Sequence, residues 1–321
     1  MKDKRQAAVG FIFITLIIDV MGWGLIIPVM PKLIAQLKGI AINQASTEGA
    51  LLISVYAITQ FIFAPVIGNL SDKYGRRPVL LASLLGFGID YIILALAPDY
   101  SWLFAGRIIA GITGASFTTA SAYIADISTA ETRAKNFGLI GAAFGIGFVI
   151  GPALGGLLAG FGLRAPFYAA AGLCLLNALY GYFVLPESLA KENRRPFDWK
   201  RANPLGALRL LKKYPGIDGL ALCFFLIYLA AQAVQGNWNF FTMYRFNWSE
   251  STVGLSLAVV GLLVGGVQAG LTRVVNPRLG NEKSVYAGLL LYSIGLTLFA
   301  FATQGWMMFL FLVPYCLGGI A

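Results

Sequence analysis

Histidine is absent from all 321 residues. That excludes imidazole metal ligands and removes the usual general base near neutral pH. Cysteine is scarce. Cys174, Cys223 and Cys316 lie far apart inside apolar runs, which argues against a disulfide framework or a thiolate metal site. Charge is scarce too, at 12% of residues against about 25% in soluble domains. No nucleophile triad or ligand cluster occurs, so the chain offers no basis for an enzyme. The net charge of +10 does not come from basic stripes interleaved with aromatics, so nucleic acid is not the expected partner.

What remains is 58% hydrophobic. It is arranged in runs of about 20 apolar residues, the length that crosses about 30 Å of hydrocarbon as a helix. Barrel strands are shorter and alternate in polarity. The fold class expected is therefore an all-α polytopic membrane protein. Ten runs are predicted, near 10–31, 50–70, 78–97, 101–124, 137–160, 165–185, 218–241, 252–273, 284–303 and 305–321. The basic start, MKDKRQAAVG, has no small-residue cleavage site after it, so the first run is read as a retained helix. Residues 1–186 form a six-helix unit, 187–217 a polar linker and 218–321 a second, partial bundle. Pro204 to Lys213 is read either as an amphipathic helix on the membrane surface or as plain solvated linker.

Lys32, Lys38, Arg164 and Arg245 lie on one side of the predicted topology. Arg107 lies within a helix, and all other Lys and Arg fall on the opposite side. The positive-inside rule makes that opposite side, with the N-terminus, cytoplasmic.

Asp19, Asp90 and Arg107 fall inside runs, where each costs about 2.5–3.5 kcal/mol to insert. Counting at 1.5 Å per residue puts them roughly 14, 18 and 21 Å from the inner surface, one layer near mid-membrane. Gln60 shares this level. With two carboxylates and one guanidinium, one acid can be paired while the other takes up and releases a proton. The same residues also fit a static Asp–Arg pair that fixes helix contacts. Gln232, Gln235, Asn237, Asn239 and Gln268, with Trp238, Phe240, Phe241 and Tyr244, suit a cavity for a flat, partly polar organic molecule. Helix–helix hydrogen bonding and an interfacial belt account for them equally, and Asn239 and Tyr244 are the most belt-like.

Gly147, Gly151 and Gly155 repeat every four residues and give one face of a helix a smooth stripe, beside which Pro152 introduces a bend. Gly68 to Pro78 reads as a tight cytoplasmic turn carrying Asp72, Gly75, Arg76 and Arg77. Pro277 to Lys283 echoes it, as expected of an internal repeat.

These motifs resemble those of the major facilitator superfamily, and within it the drug–proton antiporters. Gly68–Pro78 resembles the family's loop signature, Leu103–Gly111 its Arg-bearing fourth helix, and Gly147–Gly156 the antiporter signature of its fifth. Asp19–Pro31, Leu84–Tyr91 and Arg245–Ala258 are similar to tetracycline efflux proteins of Gram-negative type. The resemblance implies export of a drug-like molecule, tetracycline or a metal complex of it, from the inner membrane in exchange for protons. It implies proton coupling through Asp19, Asp90 and Arg107 and a substrate contact at Gln60; the residue pattern itself adds Gln232, Gln235 and Trp238 as candidate substrate contacts. Gating is implied for Gly68, Asp72, Gly75, Arg76, Arg77, Asp126, Gly147, Gly151, Pro152 and Gly155, with Asp126 pairing Arg76 or Arg77. No cofactor or protein-bound metal is implied; the proton gradient drives the cycle. Membrane lipid surrounds the chain, and a monomer is favoured without the sequence fixing the oligomeric state. Where those exporters carry an acid in the ninth helix, this chain has Tyr292. Against twelve helices in the family, it stops in its tenth run. An importer on the same fold and a truncated, non-transporting membrane protein remain alternatives.

Overall fold

The structure, a computed structural model, describes residues 2–114, 116–204, 206 and 217–320. It is built of helices, with no strand among the described residues. In chain order these are α1 (Lys2–Ile26), α2 (Met30–Lys38), α3 (Ile42–Tyr74), α4 (Arg76–Leu96), α5 (Tyr100–Thr113), α6 (Ser116–Ile127), α7 (Ala130–Leu158) and α8 (Ala165–Val184). After the linker come α9 (Ile217–Phe246), α10 (Glu250–Gly266), α11 (Thr272–Leu279), α12 (Asn281–Phe301) and α13 (Gly305–Leu317). Among the described residues nine helical stretches are long and apolar enough to cross a membrane, and a shorter apolar one follows at Gly305–Ile320. Each of the ten predicted runs meets one of them.

The differences lie at helix ends and have local causes. The first run breaks at residues 27–29, because Pro28 and Pro31 bring no N–H to the carbonyls four residues before them. α2 then closes on Gly39, whose φ of 64° suits a glycine cap. α3 is 33 residues, about 50 Å, and overruns the predicted turn. Gly68 and Asp72 are thus helical, and Gly75 is the one residue between α3 and α4. The fourth run divides at Gly114, where α5 ends. α10 continues into α11 through a π-helical turn, Val267–Leu271. Most of the Pro204–Lys213 segment lies outside the described residues.

Gly75 (φ 108°, ψ 160°) and Gly280 (φ 80°, ψ 160°) have nearly the same backbone shape, one between α3 and α4, the other between α11 and α12. This region is almost restricted to glycine. The echo seen in the sequence is therefore also an echo in conformation.

α7 sits at the centre, with α1 on one face and α10 on the other. Successive membrane-crossing stretches run in opposite directions, so the ends of α1, α7 and α9 meet the starts of α3, α8 and α10 at one end, the far end. The N-terminus and linker lie at the opposite, linker end. The two halves join at the far end, where Trp238, Asn239 and Phe240 of α9 are buried. Toward the linker end every residue of α9 from Leu222 to Leu229 is exposed.

Candidate functional site

Asp90 on α4 and Arg107 on α5 form a buried ion pair between Oδ2 and Nη2. Asp90 has no exposed surface. Gly106 makes the room: a Cβ there would lie 2.6 Å from Asp90 Oδ1. The Arg107 guanidinium lies 6.0 Å from the centre of the Tyr56 ring on α3. Gln60, one turn along α3, donates Nε2 to the Tyr56 hydroxyl at 3.0 Å and to the Gly114 carbonyl at 2.9 Å. That carbonyl belongs to the residue where α5 stops, so the helix break supplies the acceptor. On α1, Asp19 lies within electrostatic reach of Tyr56, Tyr91 and Cys174, as does Asp90. One turn beyond Asp19, the Tyr91 ring covers Gly22, where a Cβ would sit 3.1 Å from its hydroxyl.

Asp19, Gln60, Asp90 and Arg107 are thus gathered in one cluster inside the first half. Tyr56, Tyr91 and Gly106 complete it and carry no role in the sequence reading. Tyr56 was within reach of that reading, being four residues before Gln60 and so on the same helix face.

The glycine stripe of α7 faces α1. A Cβ at Gly147 would meet the Ile17 carbonyl at 2.9 Å, and one at Gly151 the Met21 carbonyl at 2.7 Å. One at Gly155 would come 2.9 Å from Leu25 Cα. Pro152 packs on Gly24 from the same face. The other face of α7 meets α10. A Cβ at Gly156 would lie 2.7 Å from the Glu250 carbonyl, and Ser251 donates its hydroxyl to the Gly156 carbonyl at 3.0 Å. Gly254 lies against the backbone of Pro152, and Gly261 against that of Val149. Glycines therefore bring α7 to backbone contact on both sides, one within the first half and one between the halves.

At the linker end, Arg76 decides which arginine Asp126 pairs with. Its Nε lies 3.1 Å from Asp126 Oδ2, and its Nη1 lies 2.6 Å from Asp72. Arg77 turns away and donates to the Tyr182 carbonyl. Glu187 is a partner the sequence reading missed. Its carboxylate accepts from the backbone N–H of Arg76 at 2.8 Å and of Arg77 at 3.3 Å, at the positive start of α4. Asp126 also accepts from the Ser188 hydroxyl, and Asn69 donates to the Asp198 carbonyl. The first stretch of the linker is thereby fastened to the Gly75 corner.

The amides of α9 divide by position. Gln232, Gln235 and Asn237 are exposed. Trp238 is buried and donates its indole N–H to Ser256 at 2.9 Å, with its ring 5.2 Å from that of Phe299. Beside it is a cavity of about 170 Å³ lined by Val234, Asn237, Phe241 and Met308 among others. Tyr244 is exposed, as a belt residue would be, but Asn239 is only 5% exposed and belongs to the seam between the halves. Tyr292 stacks on Tyr315 at 4.9 Å, with their hydroxyls 3.5 Å apart.

The family profile described as Major Facilitator Superfamily matches residues 12–321. The chain belongs to this superfamily. Its members are membrane transporters rather than enzymes, and this multi-pass chain follows their architecture. The tetracycline resistance protein of class C from Escherichia coli is 44% identical over 317 residues, covering 99% of this chain and 79% of that protein. The class G protein from Vibrio anguillarum is 41% identical over 321 residues, with the same coverage. Among solved structures, the human organic anion transporter MFSD10 (TETRAN) is similar with a TM-score of 0.69 at 22% identity, covering 98% of this chain and 85% of that one. A bacterial homolog of the human lysosomal transporter Spinster, inward-facing and unoccupied, gives 0.78 at 17% identity, covering all of this chain and 74% of that one. At these identities the two structures bear on the fold alone.

Proposed function

We propose that this superfamily member exports a drug-like small molecule across the bacterial inner membrane in exchange for protons. The observation that carries the reading is the cluster of Asp19, Asp90 and Arg107 inside the first half. Two carboxylates and one guanidinium leave one negative charge at membrane depth unless a proton joins them. Proton uptake and release is the least costly way to cycle such a layer. Arg107 holds Asp90, Tyr56 backs Arg107, and Gln60 ties Tyr56 to the α5–α6 break. A shift of any of these helices is thus felt at the ion pair.

The positive-inside rule makes the linker end cytoplasmic. The seam between α7 and α10 closes the far end, while α9 stands clear toward the linker end. This supports an inward-open form, ready to take substrate from the cytoplasm. The exposed amides Gln232, Gln235 and Asn237 of α9 support contact with a polar organic molecule. The resistance proteins named above make tetracycline the first compound to test, with any divalent metal travelling as part of the cargo. The coupling itself needs no cofactor beyond the proton gradient.

Everted vesicles energised by a proton gradient test the proposal. Asp19→Asn and Arg107→Ala should each cut gradient-driven drug uptake by tenfold or more while leaving the protein in the membrane. Full coupled transport in both variants refutes the role given to the layer.

A further inference from the structure

An amide and a proline meet across the two halves. In a helix the Ile27 carbonyl would accept from the N–H four residues on. That residue is Pro31, which has none. Asn239, on α9 of the other half, donates Nδ2 to this carbonyl at 2.8 Å. Its Oδ1 accepts from the Phe240 N–H at 3.0 Å, so both ends of the amide are engaged. The ring of Phe240 then covers Gly49 of α3, where a Cβ would lie 2.8 Å from Cε2. At the rim, Lys32 reaches Glu250 of α10 at 2.8 Å.

We infer that Asn239 is the far-end lock of the transport cycle: a positioning residue that holds the halves together through the carbonyl Pro31 cannot serve. A backbone carbonyl at membrane depth requires a donor. With the far end shut, water is excluded and Asn239 is that donor. With the far end open, both groups must be met by water. The lock is therefore worth the net difference between a protein hydrogen bond and its hydrated parts, roughly two- to tenfold in the ratio of closed to open forms. The Lys32–Glu250 pair is more exposed and adds less. The lock involves no charge, so it holds equally on either side of a proton-binding event. The substrate and proton sites, not the lock, then decide when it opens.

The inference rests on the proposed export cycle, in which the far end must open in its turn, and its test reads shape rather than transport. In the protein reconstituted in nanodiscs, with Cys174, Cys223 and Cys316 replaced by serine, spin labels go on Phe161→Cys and Thr303→Cys. Both sites are exposed and lie in far-end connections on opposite halves, Phe161 in a single 3-10 turn. Electron–electron distance measurements should show the longer-distance population rising two- to tenfold in Asn239→Leu. Pro31→Ala should change it in the same direction, because position 31 then brings an N–H that competes with Asn239 for the Ile27 carbonyl. The double variant should add little to either change alone. An unchanged distribution in either single variant, or additive effects in the double, overturns the lock. If Asn239→Leu does not fold, Pro31→Ala decides alone, since it leaves Asn239 in place.

Discussion

Gly106→Ala isolates the geometry of the ion pair from its chemistry. The new Cβ would stand 2.6 Å from Asp90 Oδ1 and 3.2 Å from Leu94 Cδ2. Ordinary contact begins near 3.4 Å, so something must retreat by almost an ångström. The atom in the way is the tip of a short side chain, so the carboxylate yields before either helix does. Asp90 is fully buried and held by Arg107. Its retreat therefore lengthens the pair while both charges stay in place. Overpacking of this size costs about 1–3 kcal/mol of stability. A misplacement near 1 Å at a reacting group can cost about a hundredfold in rate. The expected result is a modest loss of thermal stability with a disproportionate loss of proton-driven transport. Gly141→Ala serves as the reference, because nothing lies within 4 Å of its Cβ; that change should be neutral or slightly stabilising. Transport in Gly106→Ala equal to that in Gly141→Ala would refute the argument that the pair's position matters.

Two further substitutions test the seams. Gly151→Ala would press a methyl on the Met21 carbonyl, backbone that cannot swing aside. A loss of about 1–3 kcal/mol is expected in thermal unfolding, against no loss for Gly145→Ala, which meets nothing. At the linker end, Gly75→Ala meets both a glycine-only φ and the Glu187 carboxyl, with its Cδ 2.7 Å away. Gly280→Ala carries the backbone strain alone, about 1–3 kcal/mol. Protease nicking between Glu187 and Arg201 should therefore accelerate in Gly75→Ala and stay at the parental rate in Gly280→Ala.

The spans were legible because the bilayer imposes a length that composition must satisfy. The charge cluster was legible for a related reason: buried charge is expensive enough that such residues at one depth point to one another, as Asp90 and Arg107 do. Helix ends were harder to read. The segment from Asn69 to Lys73 looks like a turn by composition, yet it stays helical. Its polar groups are met by Arg76 and by linker residues more than a hundred positions away. Asn239 was read as an interfacial amide for the same kind of reason. Its acceptor lies 212 residues earlier in sequence and exists because of a proline there. Glu187 was passed over as an ordinary linker acid, since nothing in its own neighbourhood points to the start of α4. Local pattern finds what the membrane or the helix period demands; pairings between distant segments leave no periodic trace.

The contact of α7 with α10 has a kinetic consequence. Where Gly156 meets Glu250 and Gly254 meets Pro152, main chain touches main chain. Parting there frees few rotamers and uncovers little hydrocarbon, and coming together again requires no side chain to find its place. Such a junction works like two smooth plates rather than a toothed clasp. Its speed is set by how fast the helices tilt, and a single added methyl on either plate would act as grit.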